Sequence, residues 1–238
     1  MLRPPQLAGA EATVHLFPSG VRTTTPCRGA LNSRDFRGNA FVFFPTHTVT
    51  KICNDCLLLF VIVSMTDEHI VLVDENNNVL GTMPKPLAHN ADTPLHRGFS
   101  LFLFNPKNEL LLQQRSSKKK TWPGVWSNSC CGHPMLNESN VDAAHRRLKF
   151  ELGMTASGIK EVAPYRYKFA YNGVVENEIC PILVGYTQEE PNPNPEEVGA
   201  VRWVTWPAFL KEIKINPKSY SEWCVEEASI LVKLSLAP

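Results

Sequence analysis

The stretch Asn140–Leu152 sets Val141, Ala144, Leu148 and Leu152 at steps of three and four, which makes one apolar stripe on one helix face. Asn137 or Ser139 can cap its start, and Gly153 can end it in the left-handed conformation. Around this helix the strong periods are those of strands. His69–Val73 and Val79–Thr82 flank the polar turn Asp74–Asn78, and Gly98–Phe104 and Leu110–Arg115 flank Asn105–Asn108. Tyr165–Tyr171 and Val174–Tyr186 flank Asn172-Gly173, the strongest short hairpin signal. Ala200–Val204 reads as a last strand, followed by two short helices over Trp206–Glu212 and Ser219–Leu234. A helix that must bury a stripe among so many strands needs sheet faces to bury it against. The fold class is therefore α/β, a sandwich of mixed sheet and helices. Residues 116–137 read as one long polar loop, and a loop that long inside a compact domain is usually functional.

The formal net charge of +1 over 238 residues speaks against a nucleic-acid or membrane-surface binder. That average covers two unlike parts. Residues 1–64 hold six Lys and Arg against three Asp and Glu, whereas residues 65–238 hold 18 against 20. The first part is rich in Pro, Thr, Arg and Gly up to about Val49 and shows no sustained period, so it reads as an unstructured extension or a start set too early, with Met65 the real one. The apolar run Leu57–Val63 has seven residues, against the roughly 20 of a membrane span. It also sits too far from the N-terminus for a secretory signal. The expected organisation is an extension over 1–64 and one domain over 65–238. The expected location is the cytoplasm, with organelle targeting by residues 1–64 as the alternative. Cys53 and Cys56 form a lone CxxC, a weak zinc or redox signal, and the seven cysteines make no disulfide framework.

Three groups of residues carry chemistry. The first is His89, His96, His133, Glu176 and Glu178. Imidazole and carboxylate suit a divalent transition metal, and residues two apart in a strand face one side, so Glu176 and Glu178 can reach the same ion. The competing reading is a set of ordinary polar surface residues. The second is Gly132-x5-Glu138-x7-Arg146-Arg147-Leu148-x2-Glu151-Leu152-Gly153. Arg147 and Glu151 share a helix face, either as a plain ion pair or as a phosphate contact beside a carboxylate for a hard cation. The nearby Arg115 and Lys118–Lys120 point to the same kind of ligand. The third is Cys130-Cys131-Gly132-His133. Adjacent cysteines cannot both face one site, and Cys131, next to Gly132-His133, is the candidate nucleophile; otherwise each is a small buried apolar residue.

Together these groups resemble the type 1 isopentenyl-diphosphate isomerases of the Nudix superfamily, in a bacterial-like form. The resemblance runs from about Met65 to the last helix. It rests on His89–His96, Ser117–Trp126, Asn128–Pro134, Arg146–Gly153 and Val175–Glu178. The second group is then a degenerate Nudix box, with Arg147 and Phe150 where the family-wide box has Glu. Their loss argues against the rival reading, a Nudix pyrophosphohydrolase acting on a nucleoside diphosphate derivative. A metal-stabilised binding module would leave Cys131 and Glu178 without a role.

The resemblance implies a Nudix-type mixed-sheet α/β/α sandwich and isomerisation of isopentenyl diphosphate to dimethylallyl diphosphate through a tertiary carbocation. It assigns Cys131 and Glu178 to proton transfer, Tyr167 to orienting the acidic group and Trp223 to facing the cation. It assigns Lys85, Arg115, Lys119 and Arg147 to the diphosphate. His89, His96, His133, Glu176 and Glu178 would hold Zn²⁺, Mn²⁺ or Mg²⁺, and Glu151 a Mg²⁺ that arrives with the substrate. The implied partner is this small molecule alone, with no nucleic acid and no membrane, and the implied state is a monomer.

Overall fold

The structure, a computed structural model, describes residues 68–237 and, ahead of them, only the backbone of 41–43, 49–53 and 56–58. The chain divides into two compact units, 1–63 and 64–238. In the first, β1 (Phe41–Phe43), β2 (Val49–Cys53) and β3 (Cys56–Leu58) pair antiparallel in that order, with Cys53 and Cys56 as register partners. These strands fall within the segment expected to lack regular structure. The rest of that expectation, the transit-peptide alternative included, lies outside the described residues.

The second unit opens with β4 (His69–Val73), β5 (Val79–Pro84) and a one-turn helix α1 (Lys85–Ala88). Then come β6 (His96–Arg97), β7 (Phe99–Phe104), β8 (Glu109–Arg115), β9 (Trp126–Ser127) and β10 (Cys130–Gly132). Helix α2 (Asn140–Leu152) leads to β11 (Ser157–Ala163), β12 (Arg166–Tyr171), β13 (Val174–Ile179), β14 (Ile182–Tyr186) and β15 (Val198–Thr205). Helices α3 (Trp206–Ile215) and α4 (Glu222–Lys233) close the unit. One sheet runs β11-β14-β7-β8-β15, with β10 on β7 and β9 on β8; the other runs β12-β13-β6-β4-β5.

Helix α2 has the bounds its apolar stripe predicts. Ser139 accepts from the Asp142 amide, and Gly153 ends the helix at φ 67°, so both caps are the ones that stabilise a helix end. The hairpin turn has Asn172 at φ 49° and Gly173 at φ 79°, as a two-residue turn of this hand requires.

Two expectations need correction. Val174–Tyr186 is not one strand: it breaks at Cys180-Pro181, and β13 and β14 join different sheets. Proline has no N–H to give to a ladder, so the chain crosses over there. Residues 116–137 are not all loop, since β9 and β10 lie inside them. The sequence reading also did not anticipate α1, β6 and β11.

Strand β7 is buried on both faces. Phe99, Leu101 and Leu103 join Ala144, Leu148 and Leu152 of α2 in one core; Phe102 and Phe104 join Trp206, Phe209 and Leu231 of α3 and α4 in another. Fully burying each such side chain stabilises by about 1.5–3 kcal/mol, so this sheet holds helices on both faces. Ser100 shares the α3–α4 side of β7 with Phe102 and Phe104.

Candidate active site

The second sheet gathers the histidines and glutamates. Glu176 and Glu178 point one way from β13, which the Asn172-Gly173 turn pins against β12. His96 lies on β6, paired in register with Glu178. His89 follows α1, and His133 follows β10. All five are buried, and one ligand atom from each lies within 4.8 Å of the others. His89 Nε2 is 3.0 Å from Glu176 Oε2, and His96 Nε2 and His133 Nε2 are 3.4 and 3.1 Å from Glu178 Oε1.

The outer nitrogens help to decide what these groups can hold. His89 Nδ1 lies 3.2 Å from the Lys85 carbonyl, and His96 Nδ1 lies 2.8 Å from the Pro94 carbonyl. A proton on Nδ1 satisfies each carbonyl and leaves Nε2 with a free lone pair aimed inward. Among the described residues, His89 Nε2, His96 Nε2 and Glu176 Oε2 are buried without a hydrogen-bond partner. Buried orphan donors and acceptors are costly, and a divalent cation would satisfy them together. The five residues thus fit a metal ion. Burial opposes ionisation of Glu178, but the neighbouring His133, in hydrogen-bond contact at 3.1 Å, and His96 outweigh it and hold its carboxyl well below the usual range. Burial also keeps His133 down at about 4, so its ring is neutral and able to ligate near neutral pH.

Beside this cluster is a cavity of about 250 Å³. Its lining includes His89, His133, Glu176 and Glu178. Cys131, Tyr167 and Trp223 also line it, as do Lys85, Arg115, Lys119 and Arg147. Residues assigned to metal, proton transfer, cation and diphosphate thus meet at one hollow, drawn from both sheets, α2 and α4. On β10 the side chains alternate: Cys130 is fully buried in the α2 core, and Cys131 is half-buried at the cavity. The Cys131 thiol donates to Asn128 Oδ1 at 3.2 Å and lies 3.5 Å from Ser100 Oγ. Burial first, then the charge of Glu227, push this thiol up to about 12. Tyr167 sits opposite Glu178 on the neighbouring strand. Burial, then Glu178, push its phenol well up, which keeps it protonated. Trp223 stacks on Tyr167 with ring centroids 5.7 Å apart and donates to Ser127 Oγ at 3.1 Å.

The cations of the cavity are all engaged. Lys85 Nζ is 2.7 Å from Glu68, and Lys119 pairs with Glu197. Arg115 donates to the Thr121 carbonyl and hydroxyl. Arg147 meets Glu151 at 2.5 Å, Glu197 at 3.4 Å and Glu68 at 3.6 Å. Glu151 does not line the cavity: it is buried under Arg147, with Gln113 as its other partner. Glu68 and Glu197 were absent from the sequence reading. So were Ser100, a polar residue inside the apolar strand Phe99–Phe104, and Glu227, a carboxylate on the buried stripe of α4. In both of the latter, a polar residue interrupts an apolar pattern, and that was the available signal.

The model of the NUDIX domain family matches residues 94–224. The chain is 43% identical over 173 residues to the isopentenyl-diphosphate Delta-isomerase of Saccharopolyspora erythraea, covering 72% of this chain and 89% of that protein. It is 45% identical over 166 residues to the protein of the same name from Klebsiella pneumoniae, covering 69% and 90%. Among solved structures, DR0079 from Deinococcus radiodurans superposes with a TM-score of 0.55 at 20% identity, over 68% of this chain and 98% of that one, a likeness of fold.

Proposed function

Because the chain belongs to the NUDIX family and, within it, to the isopentenyl-diphosphate Delta-isomerases, we propose that the cavity just described is its active site, with Cys131 and Glu178 as the proton-transfer pair. The reaction carries isopentenyl diphosphate to dimethylallyl diphosphate. One proton adds to the terminal alkene carbon, a tertiary carbocation forms, and one proton leaves the allylic carbon. An unactivated alkene is a weak base, so the acid must be held in place and water kept out. The observation that carries the assignment is the convergence of Cys131, Glu178, Tyr167, Trp223 and four cationic side chains on one cavity.

Each side chain has a task that its surroundings support. Cys131, a neutral thiol, and Glu178, a carboxylate in this structure, supply an acid and a base on one hollow. The Tyr167 phenol, protonated and beside Glu178, orients the carboxyl. The Trp223 π-face stabilises the carbocation without being a base that would quench it. Lys85, Arg115, Lys119 and Arg147 take the diphosphate, exchanging Glu68 and Glu197 for phosphate oxygens. His89, His96, His133, Glu176 and Glu178 would hold a divalent ion, whether Zn²⁺, Mn²⁺ or Mg²⁺, whose positive charge would fix Glu178 and tune its acidity. Glu151 would hold a Mg²⁺ brought with the diphosphate, in exchange for its pairing with Arg147. The chain works as a cytoplasmic monomer on a small molecule, without nucleic acid or membrane. The near-neutral charge agrees with this, and among the described residues no helix is long and apolar enough to cross a membrane.

The test is incubation of the full chain with isopentenyl diphosphate and Mg²⁺ plus Zn²⁺ or Mn²⁺ in deuterated water. Dimethylallyl diphosphate carrying deuterium is expected, with loss of turnover on chelation and recovery on metal return. Absence of deuterium uptake and of product would sink the reading, and released phosphate would favour the hydrolase instead.

A further inference from the structure

Strand β9 ends at Ser127, and Asn128 leads from it toward β10, which bears Cys131. Ser221 stands at the N-cap of α4, the helix that bears Trp223, and its amide donates to the Trp126 carbonyl of β9 at 2.9 Å. Ser127, Asn128, Ser221 and Trp223 are each at most 2% exposed. Their polar groups must therefore find partners inside the protein.

The chemistry of those partners fixes the direction of every bond. Asn128 Nδ2 lies 3.1 and 3.4 Å from the Leu101 and Cys130 carbonyls. A carbonyl can only accept, so both amide protons go there and the side-chain amide cannot be turned over. Its oxygen is left to Ser127 Oγ at 2.8 Å and Cys131 Sγ at 3.2 Å. Oδ1 carries no proton, so the hydroxyl and the thiol both donate to it. Ser127 has then spent its only proton, and its Oγ accepts from Trp223 Nε1 at 3.1 Å and from Ser221 Oγ at 2.9 Å. All the hydrogen-bonding capacity of the Ser127 and Asn128 side chains is thus in use. A buried polar network satisfied throughout is rigid, because no member can turn without leaving another unpaired. The remaining polar contact of the Cys131 sulfur is looser. Ser100 Oγ lies 3.5 Å from it and equally far from Cys180 Sγ.

Cys131 and Trp223 line the cavity, whereas Ser127 and Asn128 do not. We propose that Asn128 and Ser127 are positioning residues for the isomerisation: they form a hydrogen-bonded strut from the Cys131 sulfur to the Trp223 indole and hold the two at one spacing. A proton added to the terminal alkene carbon creates positive charge on the carbon beside it. A proton-transfer group and a π-face serve that one transition state together only when their separation is held. The inference rests on the reading that Cys131 takes part in proton transfer and that Trp223 faces the cation.

The test compares Asn128→Ala, Ser127→Ala, Ser129→Ala and Cys131→Ala in the metal-loaded full chain, measuring kcat, KM, Tm and metal content. Asn128→Ala is expected to lower kcat about tenfold or more with KM within about twofold and metal content unchanged. Ser127→Ala, which cuts only the tie to Trp223, lowers kcat by a smaller factor, and the double variant adds little to Asn128→Ala. Ser129 controls for stability. Its buried hydroxyl bonds the Leu103 amide and the Leu111 carbonyl, so Ser129→Ala should lower Tm and keep the parental kcat. The ¹⁵N–¹H indole signal of Trp223, identified by its loss in Trp223→Phe, should move in Asn128→Ala although the two side chains do not touch. Parental kcat in Asn128→Ala or in Ser127→Ala overturns the inference. So does an unmoved indole signal, or a Ser129→Ala that loses as much kcat as Asn128→Ala at a similar Tm. Should Asn128→Ala fail to fold, Ser127→Ala decides alone: reduced kcat at unchanged KM supports the strut, and parental kcat overturns it. Full activity in Cys131→Ala removes the underlying reading, whereas an inactive Cys131→Ala beside a full-rate Asn128→Ala removes only the strut.

Discussion

Gly98→Ala tests the metal and proton-transfer cluster without touching any of its members. Gly98 sits between β6 and β7, and its amide donates to the Ile179 carbonyl at 2.9 Å. A Cβ built on it would lie 1.9 Å from Glu178 Oε2 and 2.7 Å from the carboxyl carbon. To regain ordinary contact at about 3.4 Å, the oxygen must retreat about 1.5 Å. The other oxygen of this carboxylate is the one held between His96 at 3.4 Å and His133 at 3.1 Å, so the displacement strips Glu178 from both. A misplacement of about 1 Å at reacting groups can cost about 100-fold in rate, which is about 2.7 kcal/mol of barrier. Gly98 lies outside the left-handed backbone region, so alanine brings no backbone strain. It reduces the freedom of the unfolded chain, worth about 0.4–1 kcal/mol in favour of the fold. The expected variant is folded, at least about 100-fold slower in deuterium incorporation, and short of metal by elemental analysis. A Gly98→Ala protein with parental turnover and full metal content would refute the geometry on which this reasoning stands.

Other expectations follow from the same side chains. Cys131→Ala should abolish turnover, to background in the deuterium assay, with near-normal fold and metal content. Cys130→Ala, in the α2 core, should keep activity and cost about 1 kcal/mol in denaturant unfolding. His133→Ala should lower metal content and activity together, and full metal retention would argue against a five-residue site. Glu68 provides a pH test. Burial opposes its ionisation, but the charges of Lys85 and Arg147 prevail and bring its carboxyl down to about 2 from 4.5. A folded-state value below the unfolded one gives stability that is full above pH 4.5 and is lost as pH falls toward 2. Unfolding of the parent and of Glu68→Gln should therefore differ most at neutral pH and converge across that window. A constant gap would contradict the ion pairs.

Local pattern reaches a definite part of this protein. The stripe of α2, its Ser139 and Gly153 caps and the Asn172-Gly173 turn depend on neighbours a few residues away, and the structure has each where the spacing predicts it. The alternation on β13 likewise puts Glu176 and Glu178 on one side. The split of Val174–Tyr186 into strands of two sheets was not legible. An apolar run gives no sign of which partners its two halves will find, and Pro181 acts only once two sheets exist. Strands β9 and β10 have two and three residues, too short for a period to register.

The sequence by itself determined the chemical inventory: three histidines, two paired glutamates, a cysteine beside Gly132-His133 and a box with Arg147 in place of Glu. The tertiary structure alone decided which of these meet. It turned Cys131 to the cavity and Cys130 to the core, enclosed Glu151 beneath Arg147, and set Glu68 and Glu197 against the cations. The physical reason is range: caps, turns and alternation are settled by steric and hydrogen-bond contacts within one element, whereas desolvation and charge pairing depend on groups that only the packed sheets and helices bring within a few ångströms.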